Sequence, residues 1–144
     1  MTRVAADSNV LVAATQADHP RHAAAIAALE SVLDGNDILV LPVHSLVETY
    51  SVLTRLPPPA RLAPSIAMGS IRNFVAQGEV VSLSSVRVLE LLDHGAATGI
   101  TGGRIYDKLI GTTAVEAGAE VLLTFNARHF ANLGLSLRVV EPAE

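Results

Sequence analysis

The sequence predicts an α/β domain with three layers, in which a mainly parallel sheet lies between helices. Short apolar segments alternate along the chain with longer segments whose apolar residues recur at helical spacing, and this alternation is typical of parallel sheets. The first apolar segment, residues 4–6, has no polar residue, as expected for a strand that is covered on both faces. Because half of the 144 residues are apolar, we expect residues 1–144 to form a single domain with its own core.

The composition narrows the classes of function. The chain has no cysteine, which excludes disulfides and thiolate metal sites and fits a reducing cytoplasm. No apolar run approaches the roughly 18 residues that a membrane span requires, so we expect a cytoplasmic protein that makes no membrane contact. The net charge of −4 disfavours broad adhesion to nucleic acid, so a polyanionic substrate would require local cations or a bound metal. The aromatic content of 3% argues against base binding on a platform of rings.

The first strand ends at Asp7, where open α/β sheets place their ligand sites. Ser8 and Asn9 are also common helix N-cap residues, so the same segment is consistent with a simple turn in which Asp7 caps a helix that carries residues 10–14. Helical spacing of apolar residues then predicts a second helix over residues 19–33.

A second strand, residues 37–41, is followed by Pro42, which suits the first turn of a helix that reaches about residue 56. Glu48 lies on one face of this helix between small residues, which leave space for a ligand, although a solvated glutamate has the same pattern. The core face of the helix is predicted to carry Val43, Leu46, Val47, Tyr50 and Leu53.

The proline-rich segment 56–64 is predicted to be a stiff connection within the domain rather than a boundary. After it we expect a helix, a strand and a second helix, then a helix around Asp107 and two final strands. The corresponding ranges are 65–77, 79–83, 84–98, 104–114, 120–124 and 138–140.

Asp107 has an unusual setting within its predicted helix. Its neighbours three and four residues away are Gly103, Arg104, Ile110 and Gly111, so the carboxylate is half buried beside glycines, with Arg104 as its close cation. A buried charge with so few partners is costly unless a metal ion compensates it. The pattern therefore indicates a functional acid.

Asp7, Glu48, Asp107 and Asn126 are expected to meet in one groove, because each follows a strand or begins near the same edge of the sheet. Three carboxylates at close range repel each other, and protonation or a divalent cation relieves the repulsion. Oxygen donors without cysteine suit Mg²⁺ or Mn²⁺ better than Zn²⁺. Mg²⁺ commonly joins carboxylates to phosphate oxygens, so the set predicts metal-assisted hydrolysis of phosphodiesters.

The ordered set of motifs resembles the PIN-domain ribonucleases, and within them the VapC-like toxins of bacterial toxin–antitoxin pairs. The resemblance covers essentially the whole chain. Four segments carry it: Asp7-Ser8-Asn9 after the first strand, Glu48 in the helix that begins at Pro42, Gly102-Gly103-Arg104-Ile105-Tyr106-Asp107 before Leu109-Ile110, and Leu123-Thr124-Phe125-Asn126 before Phe130.

The resemblance implies an endoribonuclease that depends on Mg²⁺ or Mn²⁺, with Asp7 and Asp107 as metal ligands and Glu48 as a ligand or the holder of a water. It also implies an RNA substrate, a cognate antitoxin that binds near the active groove, and a homodimer that forms a hetero-oligomer with the antitoxin. Asn126 occupies the position where the family commonly has a fourth acid. An amide oxygen still coordinates cations or orients water, but the lost charge leaves the number of metal ions open.

Three basic residues are candidates for contact with the RNA backbone: Arg104, Lys108 and Arg128. For each of them an ordinary surface ion pair is the alternative. The main rival for the whole chain is an interaction module that keeps the fold but has lost catalysis through Asn126. A phosphoacceptor domain would require paired acids after the first strand, and a nucleotide binder would require a glycine-rich phosphate loop, and the sequence has neither feature.

Overall fold

The computed structural model describes residues 1–143, which form alternating strands and helices in the order expected for a parallel α/β sheet. In chain order the elements are β1 (Arg3–Ala6), α1 (Ser8–Thr15), α2 (His22–Asp34), β2 (Ile38–Pro42), α3 (Val43–Arg55), α4 (Pro64–Gln77), β3 (Glu79–Val81), α5 (Ser85–Ala97), α6 (Arg104–Glu116), β4 (Val121–Leu123), α7 (Ala127–Phe130) and β5 (Arg138–Val140).

The sheet has the strand order β3-β2-β1-β4-β5, and every pairing of neighbouring strands is parallel. In the register, Ala5 of β1 lies between Val40 of β2 and Leu122 of β4. From the central strand β1, the chain adds β2 and then β3 on one side of the sheet, and later adds β4 and β5 on the other side. The crevice beyond the carboxyl ends of β1 and β4 is therefore the topological switch point, where open α/β sheets bind ligands.

Both faces of the sheet are covered, which confirms the predicted three-layer arrangement. On one face, Val4 and Ala6 of β1 belong to a core that includes Leu11 of α1 and Leu29 of α2. On the other face, Ala5 belongs to a second core with Ile110 and Ala114 of α6 and with Phe130 of α7. The alternation of side chains along β1 thus connects two cores through one short strand.

The buried face of α3 differs from the predicted one. Leu46 and Leu53 are buried as expected, but the rest of the buried face consists of Ser45 and Thr49, which are 0% exposed. The Thr49 hydroxyl donates to the Ser45 carbonyl at 2.7 Å, so its burial leaves no unmet hydrogen bond. Small polar residues therefore take the interior positions, and three residues of the predicted core stripe are at the surface: Val43, Val47 and Tyr50.

Arg3 joins three elements at the end of β1 opposite to Asp7. Its Nε atom donates to the carbonyl of Ala117, which caps the C-terminal end of α6, at 2.7 Å. Its two terminal nitrogens donate to the carboxylate of Glu79 in β3 at 2.9 and 3.2 Å. A bidentate pair of this kind is more specific in geometry than a single contact. Arg3 therefore fixes the far end of α6 to the sheet.

Within residues 1–143, none of the helices has both the length and the apolar character needed to cross a lipid bilayer.

Candidate active site

A groove of about 680 Å³ opens at the switch point of the sheet, beyond the carboxyl ends of β1 and β4. The structure brings Asp7, Glu48, Asp107 and Asn126 together in the lining of this groove. They come from four places in the chain: the end of β1, the middle of α3, the first turn of α6 and the turn before α7. The groove therefore contains all four residues that the sequence assigned to one site.

Asp7 both caps a helix and lines the groove, so the two interpretations of its sequence position are compatible. It is the N-cap of α1, and its Oδ1 atom accepts a hydrogen bond from the backbone N–H of Ser8 at 2.7 Å. Its Oδ2 atom accepts from the hydroxyl of Thr124 at 2.8 Å. The side chain is only 5% exposed, and this burial raises the pKa of Asp7, while the hydrogen bonds from Thr124 and Ser8 partly oppose the increase. Asp7 is thus a rigidly held acid at the floor of the groove.

Thr124 is a positioning residue that the sequence analysis did not identify as part of the site. Its side chain is fully buried, and its hydroxyl accepts hydrogen bonds from the Asn9 amide at 3.2 Å and the Asn126 backbone N–H at 3.0 Å. The Asn9 amide oxygen in turn accepts from the N–H of Phe125 at 3.0 Å. The sequence feature that could have indicated this role is the position of Thr124, a hydroxyl residue directly after an apolar strand and two residues before Asn126.

The pKa of Glu48 depends on the charges of both other acids in the groove. Burial, followed by the charges of Asp7 and Asp107, raises the pKa of Glu48 to about 6. Its Oε1 atom lies 3.0 Å from Nε2 of His44, although the angle is not that of a hydrogen bond. Burial lowers the pKa of His44, with the charge of Asp7 acting in the opposite direction. The lowered pKa of His44 favours a neutral imidazole beside Glu48, so His44 contributes little positive charge to the groove.

Asp107 lies in the first turn of α6 and is half buried. Burial raises its pKa, and the charge of Asp7 adds to the increase, while His129 and Arg104 lower it. Asp107 and Asp7 therefore interact electrostatically across the groove. The half-buried setting beside Gly103 and Arg104 is the one that the sequence predicted.

Two of the three basic residues predicted to contact RNA, Arg104 and Arg128, lie at the groove. Arg104, Arg128 and His129 line the groove, and Arg104 also donates to the carbonyl of Ala131 at 3.1 Å. These positions are suitable for contact with a phosphate backbone.

Lys108 does not lie in the groove, so the expectation that it contacts RNA is not supported by its position. Its side chain is only 8% exposed, and its ammonium group donates to the carbonyl of Leu133 at 2.5 Å. It lines a separate cavity of about 360 Å³, between α5 and α6. One residue along a helix rotates a side chain by about 100°, which turns Lys108 away from the groove that Asp107 faces. We therefore remove Lys108 from the candidate RNA contacts.

The donor atoms of the groove fit a hard cation, but they do not form a complete ligand cage. In the part of the chain that the structure describes, no three Asp, Glu or His side chains are arranged closely enough to hold a metal ion. Asp7 is engaged by Thr124 and Ser8, and Glu48 is adjacent to His44. Mg²⁺ usually binds through one or two carboxylates and keeps several waters, so carboxylate oxygens without a preformed cage remain suitable donors.

A doubly wound parallel sheet with three carboxylates and two arginines lining the groove at its switch point defines an α/β protein with an acidic groove. Comparison with known proteins makes this class more specific. The family model for the PIN domain matches residues 4–134. The chain therefore belongs to the PIN-domain family, as the motifs indicated.

Individual proteins support this assignment. Ribonuclease VapC40 of Mycobacterium tuberculosis is 42% identical over 119 residues, which cover 83% of this chain and 84% of that protein. The structure of VapBC-1 from nontypeable Haemophilus influenzae matches with a TM-score of 0.70 and 18% identity, covering 99% of this chain and 100% of that chain. Mycobacterium tuberculosis VapC20, described as a toxin that cleaves the sarcin–ricin loop, matches with a TM-score of 0.69 and 14% identity, covering 94% and 98%. At these identities the two structures establish the common fold.

Proposed function

We propose that this protein is a metal-dependent endoribonuclease that acts as the toxin of a toxin–antitoxin pair and hydrolyses phosphodiester bonds in RNA. The observation that carries the proposal is the meeting of Asp7, Glu48 and Asp107 in one groove, where each of the other two acids raises the pKa of Glu48. Carboxylates in that relation require protons or a divalent cation. The ribonuclease name of the 42% identical relative supports the choice of RNA.

The proposed cation is Mg²⁺, with Mn²⁺ as a second candidate, held by Asp7 and Asp107 and by Glu48 either directly or through a water. When bound, the cation supplies Lewis acidity to the phosphate and to the attacking water. The oxygen-only donor set supports a hard cation of this kind.

The side chains of the groove have separate proposed roles in the reaction. Glu48, which lines the groove with Asp7 and Asp107, is suited to hold the attacking water and accept its proton. Asp7 is held in place by Thr124, so it presents its charge without rearrangement. Arg104 and Arg128 are proposed to bind phosphates on either side of the scissile bond, and the Asn126 amide is proposed to orient water.

The proposed partners are RNA, a cognate antitoxin protein and a second copy of this chain. Exposed apolar side chains support protein partners, because contiguous apolar surface commonly marks an interaction site. Val43 and Val47 of α3 are 43% and 58% exposed, and Val86 and Leu89 of α5 are 64% and 63% exposed. We further propose that residues 1–144 form one domain, since the family model extends over residues 4–134.

The test is incubation of the purified protein with total cellular RNA, with and without Mg²⁺, followed by mapping of the cut ends. The wild-type protein should cut at defined positions in Mg²⁺, and Asp107→Asn should abolish the cuts, because it removes a charged ligand from the site. Full activity in EDTA would reject the mechanism.

A second candidate function is a catalytically weak or inactive interaction module of the PIN fold. Two observations favour it: Asn126 in place of an acid, and the lack of a preformed three-carboxylate cage within residues 1–143. The same experiment separates the two candidates. A folded protein that binds its antitoxin but leaves RNA intact in both Mg²⁺ and Mn²⁺ would be the interaction module.

A further inference from the structure

The ring of Tyr106 forms part of the groove wall directly beside Asp107. The residue is 51% exposed and lines the same groove as the three acids. The chain has two tyrosines, three phenylalanines and no tryptophan, so an aromatic ring at this position is one of few available. Exposed aromatic side chains in a polar groove are frequently binding residues, because they offer a flat apolar face to a ligand.

His44 holds the Tyr106 ring in a fixed orientation. The two rings are stacked, with centroids 4.9 Å apart and planes that differ by 7°. The His44 side chain is partly buried and is not among the residues that line the groove, so it covers the side of the Tyr106 ring that faces away from the groove. Among residues 1–143, His44 is the only ring or cation that stacks on Tyr106. The opposite face of the ring is therefore available to a ligand.

The charges of the groove decide which part of an RNA can occupy this face. Asp107 follows Tyr106 directly, and Glu48 lies beside His44, so a phosphate on the ring would be close to carboxylates. A nucleobase is planar and uncharged, and stacking of a base on an aromatic ring depends little on sequence. Arg104, two residues before Tyr106, is placed to bind an adjacent phosphate.

We propose that Tyr106, backed by His44, is a stacking subsite for an unpaired nucleobase of the nucleotide next to the scissile phosphate. This inference rests on the proposed ribonuclease function and adds a requirement to it. A base inside a duplex has both faces covered by its neighbours, so the nucleotide at the cleavage site must be unstacked. The low aromatic content of the chain argued against a platform of several rings, and the subsite uses one ring with a histidine behind it.

Tyrosine fluorescence tests the subsite without any need for catalysis. Because the chain has two tyrosines and no tryptophan, Tyr50→Phe leaves Tyr106 as the sole source of tyrosine emission. An unstructured RNA oligonucleotide, added in EDTA at low salt, should quench this emission, since a stacked base lies within contact distance of the ring. The same sequence as a perfect duplex should not. The matched control is Tyr106→Phe, which retains only Tyr50 on α3 and should show no quenching.

Affinity for a fluorescently labelled single strand gives a second, independent measurement. Tyr106→Leu should weaken binding at least about fivefold, because base stacking on an aromatic ring contributes that much or more, while Tyr106→Phe should bind like wild type. An RNA with one abasic ribose at the stacked position should bind wild type as weakly as Tyr106→Leu binds the intact strand. Circular dichroism of each variant establishes that it is folded.

The outcomes distinguish the subsite from the enzyme. If wild type cuts RNA in Mg²⁺ but Tyr106 is not quenched and Tyr106→Leu binds normally, the subsite is wrong and the ribonuclease function stands. If wild type neither binds nor cuts RNA, both inferences are overturned. Quenching of Tyr106 by single strands, together with the loss of affinity in Tyr106→Leu, supports the subsite even in a protein that is catalytically weak.

Discussion

The carboxylate of Asp7 and the hydroxyl of Thr124 are joined by a hydrogen bond of 2.8 Å that connects the end of β1 to the end of β4. Both side chains are buried, and the Thr124 hydroxyl also accepts from the backbone N–H of Asn126. The two strands that border the switch point are therefore linked through the acid at the floor of the groove. The positions of Asp7 and Asn126 depend on the same oxygen atom.

Replacing Thr124 by Val should destabilise the protein while preserving the shape of the side chain. The change removes the donor to Asp7 and leaves a buried carboxylate with one fewer partner, which costs about 1–3 kcal/mol. It also raises the pKa of Asp7 further, because the hydrogen bond from Thr124 lowers it. Urea denaturation measures the loss. The control is Thr54→Val on α3, where the hydroxyl donates to carbonyls of its own helix, and it should change the free energy of unfolding by less than about 0.5 kcal/mol.

Glu48→Gln should alter the pH dependence of stability in metal-free buffer. The pKa of Glu48 is about 6 in the folded protein and ordinarily 4.5, so the folded state retains a proton that the unfolded chain loses. The contribution of this group to stability is therefore full below about pH 4.5 and is lost as the pH rises to about 6. Because glutamine does not ionise, Glu48→Gln should not show this decrease in the free energy of unfolding as the pH rises.

The gain in Glu48→Gln at pH 7 should be at most about 1 kcal/mol, because the side chain is partly exposed and solvent screens its interactions. Denaturation in EDTA at pH 4.5 and at pH 7 gives the measurement, with the exposed pair member Glu90→Gln on α5 as a control. An unchanged difference between the two pH values would contradict the electrostatic interaction of Glu48 with Asp7 and Asp107.

Mg²⁺ should raise the melting temperature of the wild-type protein, and the shift should grow with the logarithm of the Mg²⁺ concentration once this exceeds the Kd, because a ligand that binds only the folded state stabilises it. Asp107→Asn should lose most of this shift and should be at least as stable as wild type in EDTA, since one repelling charge is gone. Asp93→Asn, on the exposed face of α5, should retain the full shift. Equal shifts in the two variants would place the cation elsewhere.

Asn126→Asp should strengthen the binding of divalent cations and weaken the metal-free fold. The side chain is exposed and lines the groove, so a carboxylate at this position adds a fourth negative charge without a change in packing. Isothermal titration with Mn²⁺ measures the affinity, and Asn73→Asp on the exposed surface of α4 is the matched control. If cation affinity stays the same, Asn126 is not close to the ion.

Arg128 and Lys108 should respond differently to removal of their charges. Arg128→Gln should reduce the salt dependence of RNA binding by about 0.7 in log–log slope, as expected for one contact to a single-stranded phosphate. Lys108→Met should leave that slope unchanged and lower stability by about 1–3 kcal/mol, because the Leu133 carbonyl loses its donor. A reduced slope in Lys108→Met would restore Lys108 to the RNA-binding surface.

The sequence predicted the elements and the convergence of the acids because both depend on local patterns. Alternating strands and helices predict a parallel sheet, and residues that follow parallel strands share one edge of the sheet. The family motifs then matched the ends of the same elements. The PIN-domain match over residues 4–134 confirms the predicted family, and the parallel five-stranded sheet in residues 1–143 confirms the predicted fold class.

Other features depend on how the helices pack, which periodicity does not specify. Val43 and Val47 are apolar and suitably spaced, yet the interior side of α3 is the one with Ser45 and Thr49, because small residues allow closer approach. Lys108 is next to Asp107 in sequence, but only the packing of residues 133–137 against α6 shows that it is buried. The hydrogen bonds that Asp7 makes with Ser8 and Thr124 give it a structural role in addition to its place in the groove.

Arg3 has a consequence for the groove although it lies at the opposite end of the sheet. Arg3 belongs to β1, which leads directly to Asp7. It donates a hydrogen bond to the carbonyl at the C-terminal end of α6, the helix that carries Asp107 in its first turn. Arg3 thus connects β1 and α6 at the ends of these elements that are remote from Asp7 and Asp107. Arg3 therefore helps to position the strand that leads to Asp7 relative to the helix that carries Asp107, so replacing Arg3 should change the shape of the groove although Arg3 does not line it.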